Sequence, residues 1–159
     1  METKGTGMMS MAIYVDADAM PRDALATIQR LARRYALKVI SVSSINHQIE
    51  GANHITVDAS PQATDMRIIS MLTRGEPSVV VTQDYGLAAL ALGKGAAALS
   101  PTGMQFTEYN MDRLLFERAM HAHERRATGR SKGPKVRSQA NRDAFETSLE
   151  AVIRKLTSG

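Results

Sequence analysis

Ser78-Val79-Val80-Val81-Thr82-Gln83-Asp84-Tyr85-Gly86-Leu87-Ala88 is the stretch on which the fold turns. Its unbroken β-branched run suits a strand covered on both faces, as in a parallel sheet. The polar residues that follow it lead into a short helical pattern over residues 87–92, closed by Gly93. Upstream, Ala12-Ile13-Tyr14-Val15 repeats the design: a buried strand, then Pro21 in a helix first turn and an apolar stripe at Leu25, Ile28, Leu31 and Tyr35. Residues 38–43 form a second strand, 44–53 a loop and 54–57 a short third strand. Ser60-Pro61 opens a helix that Gly75 and Pro77 end. Downstream, residues 96–99 make a less patterned fifth strand before the Pro101-Thr102-Gly103 turn. A helix then runs from Asn110, its N-cap, to about His123, and a last helix puts Phe145, Leu149, Val152 and Leu156 on one face. Strands alternating with helices imply right-handed crossovers. The expected fold is α/β, a three-layer α/β/α domain around a mainly parallel sheet.

At 159 residues, 43% hydrophobic and 23% charged, the chain is of ordinary single-domain size and composition. The absence of cysteine excludes disulfides, zinc–thiolate sites and thiol nucleophiles. No apolar run reaches the roughly 18 residues of a membrane span. The polar METKGTGMMS, residues 1–10, lacks the apolar region of a signal peptide, so a disordered leader and a cytoplasmic protein are expected, with Met8, Met9 or Met11 as alternative starts.

The net charge of +4 is unevenly spread: residues 1–112 carry −2 and residues 113–159 carry +6. Residues 125–137 hold six basic side chains in thirteen, with Gly, Pro and almost nothing apolar. Such a segment packs no core. The organisation is therefore an α/β body over 11–124, a flexible basic loop over 125–138 and a C-terminal helix over 139–159 belonging to the same domain. A basic C-terminal third suits a polyanionic partner; a merely solvated tail is the plainer alternative.

In open parallel sheets, sites form outside the carboxyl ends of the strands. Asp16 ends the first strand and Asp18 follows it; Asp84 lies just past Thr82; Asp65 sits early in the helix that leaves the third strand. At 100° per residue, Ile68, Ile69 and Leu72 lie within about 60° of Asp65, so a carboxylate is set into an apolar stripe. Such a charge is costly unless compensated. Carboxylates converging on one spot are relieved by a divalent cation, and oxygen-only donors select Mg²⁺ or Mn²⁺. The plainer uses are helix caps: Asp84 for the helix after it, Asp18 for the helix at Pro21. Asp58 suits a loop. His121 and His123, two apart, do not share a helix face, and Gly93-Lys94-Gly95 lacks the spacing of a phosphate loop. Of the scarce aromatics, Tyr85 is the one placed to meet a base.

Val15-Asp16-Ala17-Asp18-Ala19-Met20-Pro21, Ala63-Thr64-Asp65 with Ile68, and Val81 through Ala88 closely resemble blocks of the YaiI/YqxD family. Lys94-Gly95-Ala96, Ser100-Pro101 with Gly103, Arg125-Arg126 through Gly133-Pro134, and Asp143 with Phe145 extend the resemblance over about residues 11–156. Two departures stand out. Met20 replaces the family's usual cysteine, and Thr64 replaces an alanine, a change expected to matter little. The family looks like a branch of the PIN-like superfamily, whose nucleases bind Mg²⁺ or Mn²⁺ through acids at the strand ends. By that resemblance Asp16, Asp65 and Asp84 match the core acidic positions, and Asp18 an additional or water-mediated ligand. The resemblance brings no established activity with it.

The leading expectation is a metal-dependent phosphodiesterase acting on RNA, with Asp16, Asp65 and Asp84 catalytic and Asp18 completing the metal set. Thr82, Gln83 and Tyr85 would meet water, phosphate or base. Arg125, Arg126, Arg130, Lys132, Lys135 and Arg137 would hold the backbone. A nucleic-acid-binding protein without catalysis is the alternative. A phosphatase of the haloacid dehalogenase type is weaker: Asp16, Asp18 and Thr82 imitate its first motifs, but the acidic pair it needs beyond Lys94 is missing. No membrane partner is expected, and a homodimer stays open.

Overall fold

The computed structural model describes residues 11–18, 20–45, 53–60, 62–128 and 136–158. The leader over 1–10, His47, and three of the expected backbone-holding residues, Arg130, Lys132 and Lys135, lie outside them. In chain order the elements are β1 (Ala12–Asp16), α1 (Arg22–Tyr35), β2 (Lys38–Ser44), β3 (His54–Val57), α2 (Ala63–Met71), β4 (Ser78–Val81), α3 (Tyr85–Gly93), β5 (Ala97–Leu99), β6 (Gln105–Phe106), α4 (Glu108–Thr128) and α5 (Gln139–Thr157).

The sheet order is β3-β2-β1-β4-β5-β6, with every pair parallel except β5 and β6. Because strand side chains alternate, the central strands feed two cores. Ile13, Val15, Val79 and Val81 face α1 and α5, meeting Ile28, Leu31, Phe145 and Leu149. Tyr14, Val42 and Val80 face the other way, toward Ile68 of α2, Leu87 of α3 and Leu114 of α4. These are the three layers anticipated from the buried runs. No helix among the described residues is long and apolar enough to cross a membrane.

Several boundaries differ from the sequence expectation. The two-residue β6 has no periodicity to betray it, and it closes the sheet antiparallel. α4 starts before Asn110. Thr107 and Asn110 cap it reciprocally, Asn110 Oδ1 accepting from the Thr107 backbone at 2.9 Å and Thr107 Oγ1 from the Asn110 backbone at 3.2 Å. Asp18 does not cap α1, whose N-cap is Pro21 with no side-chain bond. α2 stops at Met71, ahead of Gly75. α3 includes Gly93, and the positive φ of 88° falls instead on Gly95. The largest difference lies in α4, which continues to Thr128, so Arg125 and Arg126 are helical and not part of a loop. Residues 117–127 are mostly Ala, Arg, Glu and Met, good helix formers that outweigh the high charge.

α5 packs on its own chain. Ser138 and Asn141 form a capping box at its start, and Phe145, Leu149 and Ile153 are fully buried. Arg30 pairs with Glu146 at 2.7 Å, Arg34 with Glu150 at 3.1 Å, and the Tyr35 hydroxyl donates to Glu150 at 2.5 Å. Gly103, at φ 94°, lies so close to α5 that a Cβ there would stand 2.7 Å from the Ala144 backbone, while Ser148 donates to the Gly103 carbonyl at 2.7 Å.

Candidate functional site

β1 is the turning point of the topology: the chain builds β2 and β3 to one side of it, then returns to lay β4 on the other. The connections diverge there and leave a crevice at the carboxyl ends of β1 and β4. Into it open Asp16 from the end of β1, Asp18 just beyond, Asp65 from the first turn of α2, and Gln83, Asp84 and Tyr85 from the β4–α3 junction. The cleft has a volume of about 650 Å³. The four expected carboxylates are thus brought together.

Each acid is held differently. Asp16 is largely buried, and Thr82 Oγ1 donates to its Oδ2 at 2.7 Å. Burial raises its pKa, the Thr82 hydrogen bond opposes that, and the charges of Asp18 and Asp84 raise it further. Asp18 accepts from the Ser44 backbone at 2.8 Å and from Thr64 Oγ1 at 3.2 Å. Thr64 is therefore not a neutral replacement for alanine: its buried hydroxyl ties α2 to the loop after β1. Asp84 does cap α3, its Oδ1 accepting from the Gly86 and Leu87 backbones at 2.8 and 3.3 Å. The cap reading and the site reading coexist, because the capped carboxylate still lines the cleft.

Asp65 is the most perturbed. Burial, then the charges of Asp84 and Asp16, push its pKa up to about 7, and a side-chain hydrogen bond to Asp84 adds to the effect. A partly buried carboxyl beside two other acids keeps its proton in place of an opposing charge. Among the described residues no three His, Asp or Glu side chains are gathered tightly enough to grip an ion as they stand. The donor chemistry nevertheless fits a hard divalent cation: the acidic donors are all oxygen, and their mutual repulsion adds to burial in raising the Asp65 pKa. Asp16, Asp65 and Asp84, with Asp18 beside them, are the residues that would hold it.

Other expected residues fall in different places. Thr82 is fully buried and does not line the cleft; its hydroxyl is committed to Asp16 and to the Asp84 backbone N–H at 2.9 Å. Gln83 is exposed at the mouth, and Tyr85 lines the wall with its ring edge-on to Phe106 at 5.5 Å between centroids. Arg125 reaches the cleft, whereas Arg126, exposed on the same helix, is not part of its lining. Arg137 is turned inward: its Nε donates to both oxygens of Asp23 at 3.0 and 2.8 Å, and its Nη1 to the Pro101 carbonyl at 2.6 Å. That geometry braces the start of α5 against α1 and removes Arg137 from the residues free to meet a phosphate.

Three residues of α4 were missed. Glu117, Arg118 and His121 line the cleft beside Arg125, and Arg118 Nη1 stands 3.9 Å from Asp84 Oδ1. Their signal is present in the sequence: Arg118, His121 and Arg125 recur at i, i+3 and i+7, one helix face, from which His123 points away. Lys94, which a haloacid dehalogenase scheme would need near the nucleophile, caps the far end of α3 and is absent from the cleft lining. α3 leads back from the carboxyl edge of the sheet, so that lysine sits at the opposite edge.

Residues 14–155 match the family described as uncharacterised BCR, YaiI/YqxD family. The chain is 40% identical over 145 residues to a UPF0178 protein of Heliobacterium modesticaldum, covering 91% of this chain and 98% of the relative. It is 40% identical over 151 residues to one of Ruminiclostridium cellulolyticum (94% and 96% covered) and 38% identical over 149 residues to one of Clostridium perfringens (92% and 97%). No solved structure matches significantly. The matched span takes in the whole carboxylate crevice and α4, and the chain belongs to the YaiI/YqxD family.

Proposed function

We propose that the protein is a divalent-metal-dependent nuclease that hydrolyses phosphodiesters, with RNA the favoured substrate. The observation that supports it best is the convergence of Asp16, Asp65 and Asp84, from three separate elements, in one cleft where burial and the neighbouring acids push the Asp65 pKa up to about 7. When bound, Mg²⁺ or Mn²⁺ supplies activation of water and neutralisation of charge on the phosphate. The chain's own part is to fix the donors. Thr82 holds Asp16, the Ser44 backbone and Thr64 hold Asp18, and the first turn of α3 holds Asp84. These bonds limit the freedom of three of the four carboxylates, so that chiefly Asp65 has to be drawn in toward an ion. Gln83 and Tyr85 line the cleft where a phosphate oxygen and a base would lie.

The test is cleavage of single-stranded RNA with Mn²⁺ by the wild type, Asp16→Asn and Asp84→Asn. Turnover by the wild type and a loss of at least about a hundredfold in each variant supports the reading. Equal cleavage by all three means a contaminant and sinks it. Non-catalytic nucleic-acid binding is the second reading, favoured by the spacing of the acids, no three of which among the described residues are closely grouped. Salt-dependent RNA binding without turnover, indifferent to chelators, would select it.

A further inference from the structure

Asp16, Asp18, Asp65 and Asp84 form one side of the cleft; α4 brings two arginines and a histidine to the other, together with one acid, Glu117, which is paired with Arg113 at 3.3 Å. Arg118, His121 and Arg125 all line the cleft from α4. They fall within about 60° of arc, with the two arginines about 10 Å apart along the axis. Arg118 stands 3.9 Å from Asp84, so a phosphate brought to the carboxylates comes within reach of its guanidinium. The same face is anchored one to two turns earlier, where Met111 and Leu114 are buried in the core with Leu87 and Phe106, so α4 leaves the core with its inward face carrying Arg118, His121 and Arg125. Arg118 has no other ion pair in this structure among the described residues.

We infer that this face of α4 is the phosphate-holding wall of the cleft and that it takes a single strand. Arg118 holds the phosphate at the carboxylates, Arg125 holds one about one to three nucleotides further along, and His121 contacts the backbone between them. The arginine fork suits non-bridging phosphate oxygens better than a lysine would. A volume of about 650 Å³ is that of a small-molecule site, enough for about one or two nucleotides of a single strand. A duplex keeps its bases stacked and paired, so it offers none to Tyr85 on the cleft wall. The assignment rests on the nuclease reading for the role of the floor, but the wall itself is argued from α4.

The test measures binding apart from cleavage. Fluorescence anisotropy of a labelled single-stranded RNA hexamer, with Ca²⁺ in place of Mg²⁺, is compared for the wild type, Arg118→Ala, Arg125→Ala and Arg126→Ala. Arg126→Ala removes the same charge from the same helix outside the cleft. The expected result is a Kd raised at least about fivefold by the first two changes and less than about twofold by the third. Each of the first two should also flatten the salt slope by about 0.7. An RNA duplex should bind at least about tenfold more weakly. Equal effects of all three substitutions, or no effect of any, would overturn the wall; equal duplex binding would overturn the single-strand assignment. Wild-type cleavage without the Arg118 and Arg125 effect leaves the nuclease standing and the wall fallen. The binding pattern without any cleavage leaves the wall standing and the nuclease fallen.

Discussion

Thr82 Oγ1 donates to Asp16 Oδ2 at 2.7 Å while it accepts from the Asp84 backbone N–H at 2.9 Å. One buried hydroxyl therefore sets the distance between two acids that the fold brings from β1 and from the β4–α3 junction. Thr82→Val keeps the shape and removes both bonds. It should cost about 1–3 kcal/mol of stability, read by thermal melting, and lower metal-dependent activity by about 10–100-fold. Thr82→Ser should recover most of both, and an unaffected Thr82→Val would show that the hydroxyl is not what holds Asp16.

Asp65 gives a pH dependence whose sign is fixed by its surroundings. Its pKa in the folded chain, about 7, lies above that of an unfolded aspartate. The folded chain thus keeps a proton that the unfolded chain releases, and stability falls as pH rises from the ordinary carboxylate range to about 7. Asp65→Asn should melt higher than the wild type at pH 8 without added metal, and its melting temperature should change less between pH 4 and 7. Identical pH profiles would contradict the buried, repelled carboxyl.

Metal binding should reverse that penalty. Mn²⁺ at pH 8 is expected to raise the melting temperature of the wild type in a concentration-dependent way, since an ion that binds only the folded state stabilises it by mass action. The increase should be lost in Asp16→Asn and Asp65→Asn and kept in Thr64→Ala at higher Mn²⁺, because Thr64 only steadies Asp18. No shift in any of them would count against the cation.

Gly103 and Arg137 test the brace between α5 and the rest. Gly103→Ala places a methyl group against the Ala144 backbone at a positive φ, and should destabilise by about 2 kcal/mol or more. Arg137→Ala removes the partner of the Pro101 carbonyl and leaves Asp23 with Arg142 alone, at 3.6 Å, and should cost about 1–2 kcal/mol. Arg137→Ala should leave the salt slope of RNA binding unchanged; a flatter slope would return Arg137 to the phosphate contacts.

The layers and the four carboxylates were legible because both rest on strong local signals. Buried β-branched runs such as 78–81 have one use in an alternating chain, and an acid at the end of each run is carried to the same edge of the sheet. What escaped depended on partners distant in sequence. Arg137 looks like its basic neighbours until Asp23 and Pro101 are placed beside it. Thr64 looks interchangeable with alanine until Asp18 comes within 3.2 Å. The last turn of α4, residues 125–128, resembles a loop by its charge density, but an anchored helix extends cheaply once started.

The crossing from β3 back past β1 to β4 has a consequence for the order in which the cleft is assembled. Asp16, Asp65 and Asp84 meet only after that long-range return, so a chain that has made just its first two strands has no assembled centre. The basic face of α4 follows later still in the chain. On the nuclease reading, a partly synthesised chain therefore presents acids that repel a polyanion before it presents the arginines that would draw one in. On that reading, the order of the sequence itself would contain the hazard of premature cutting.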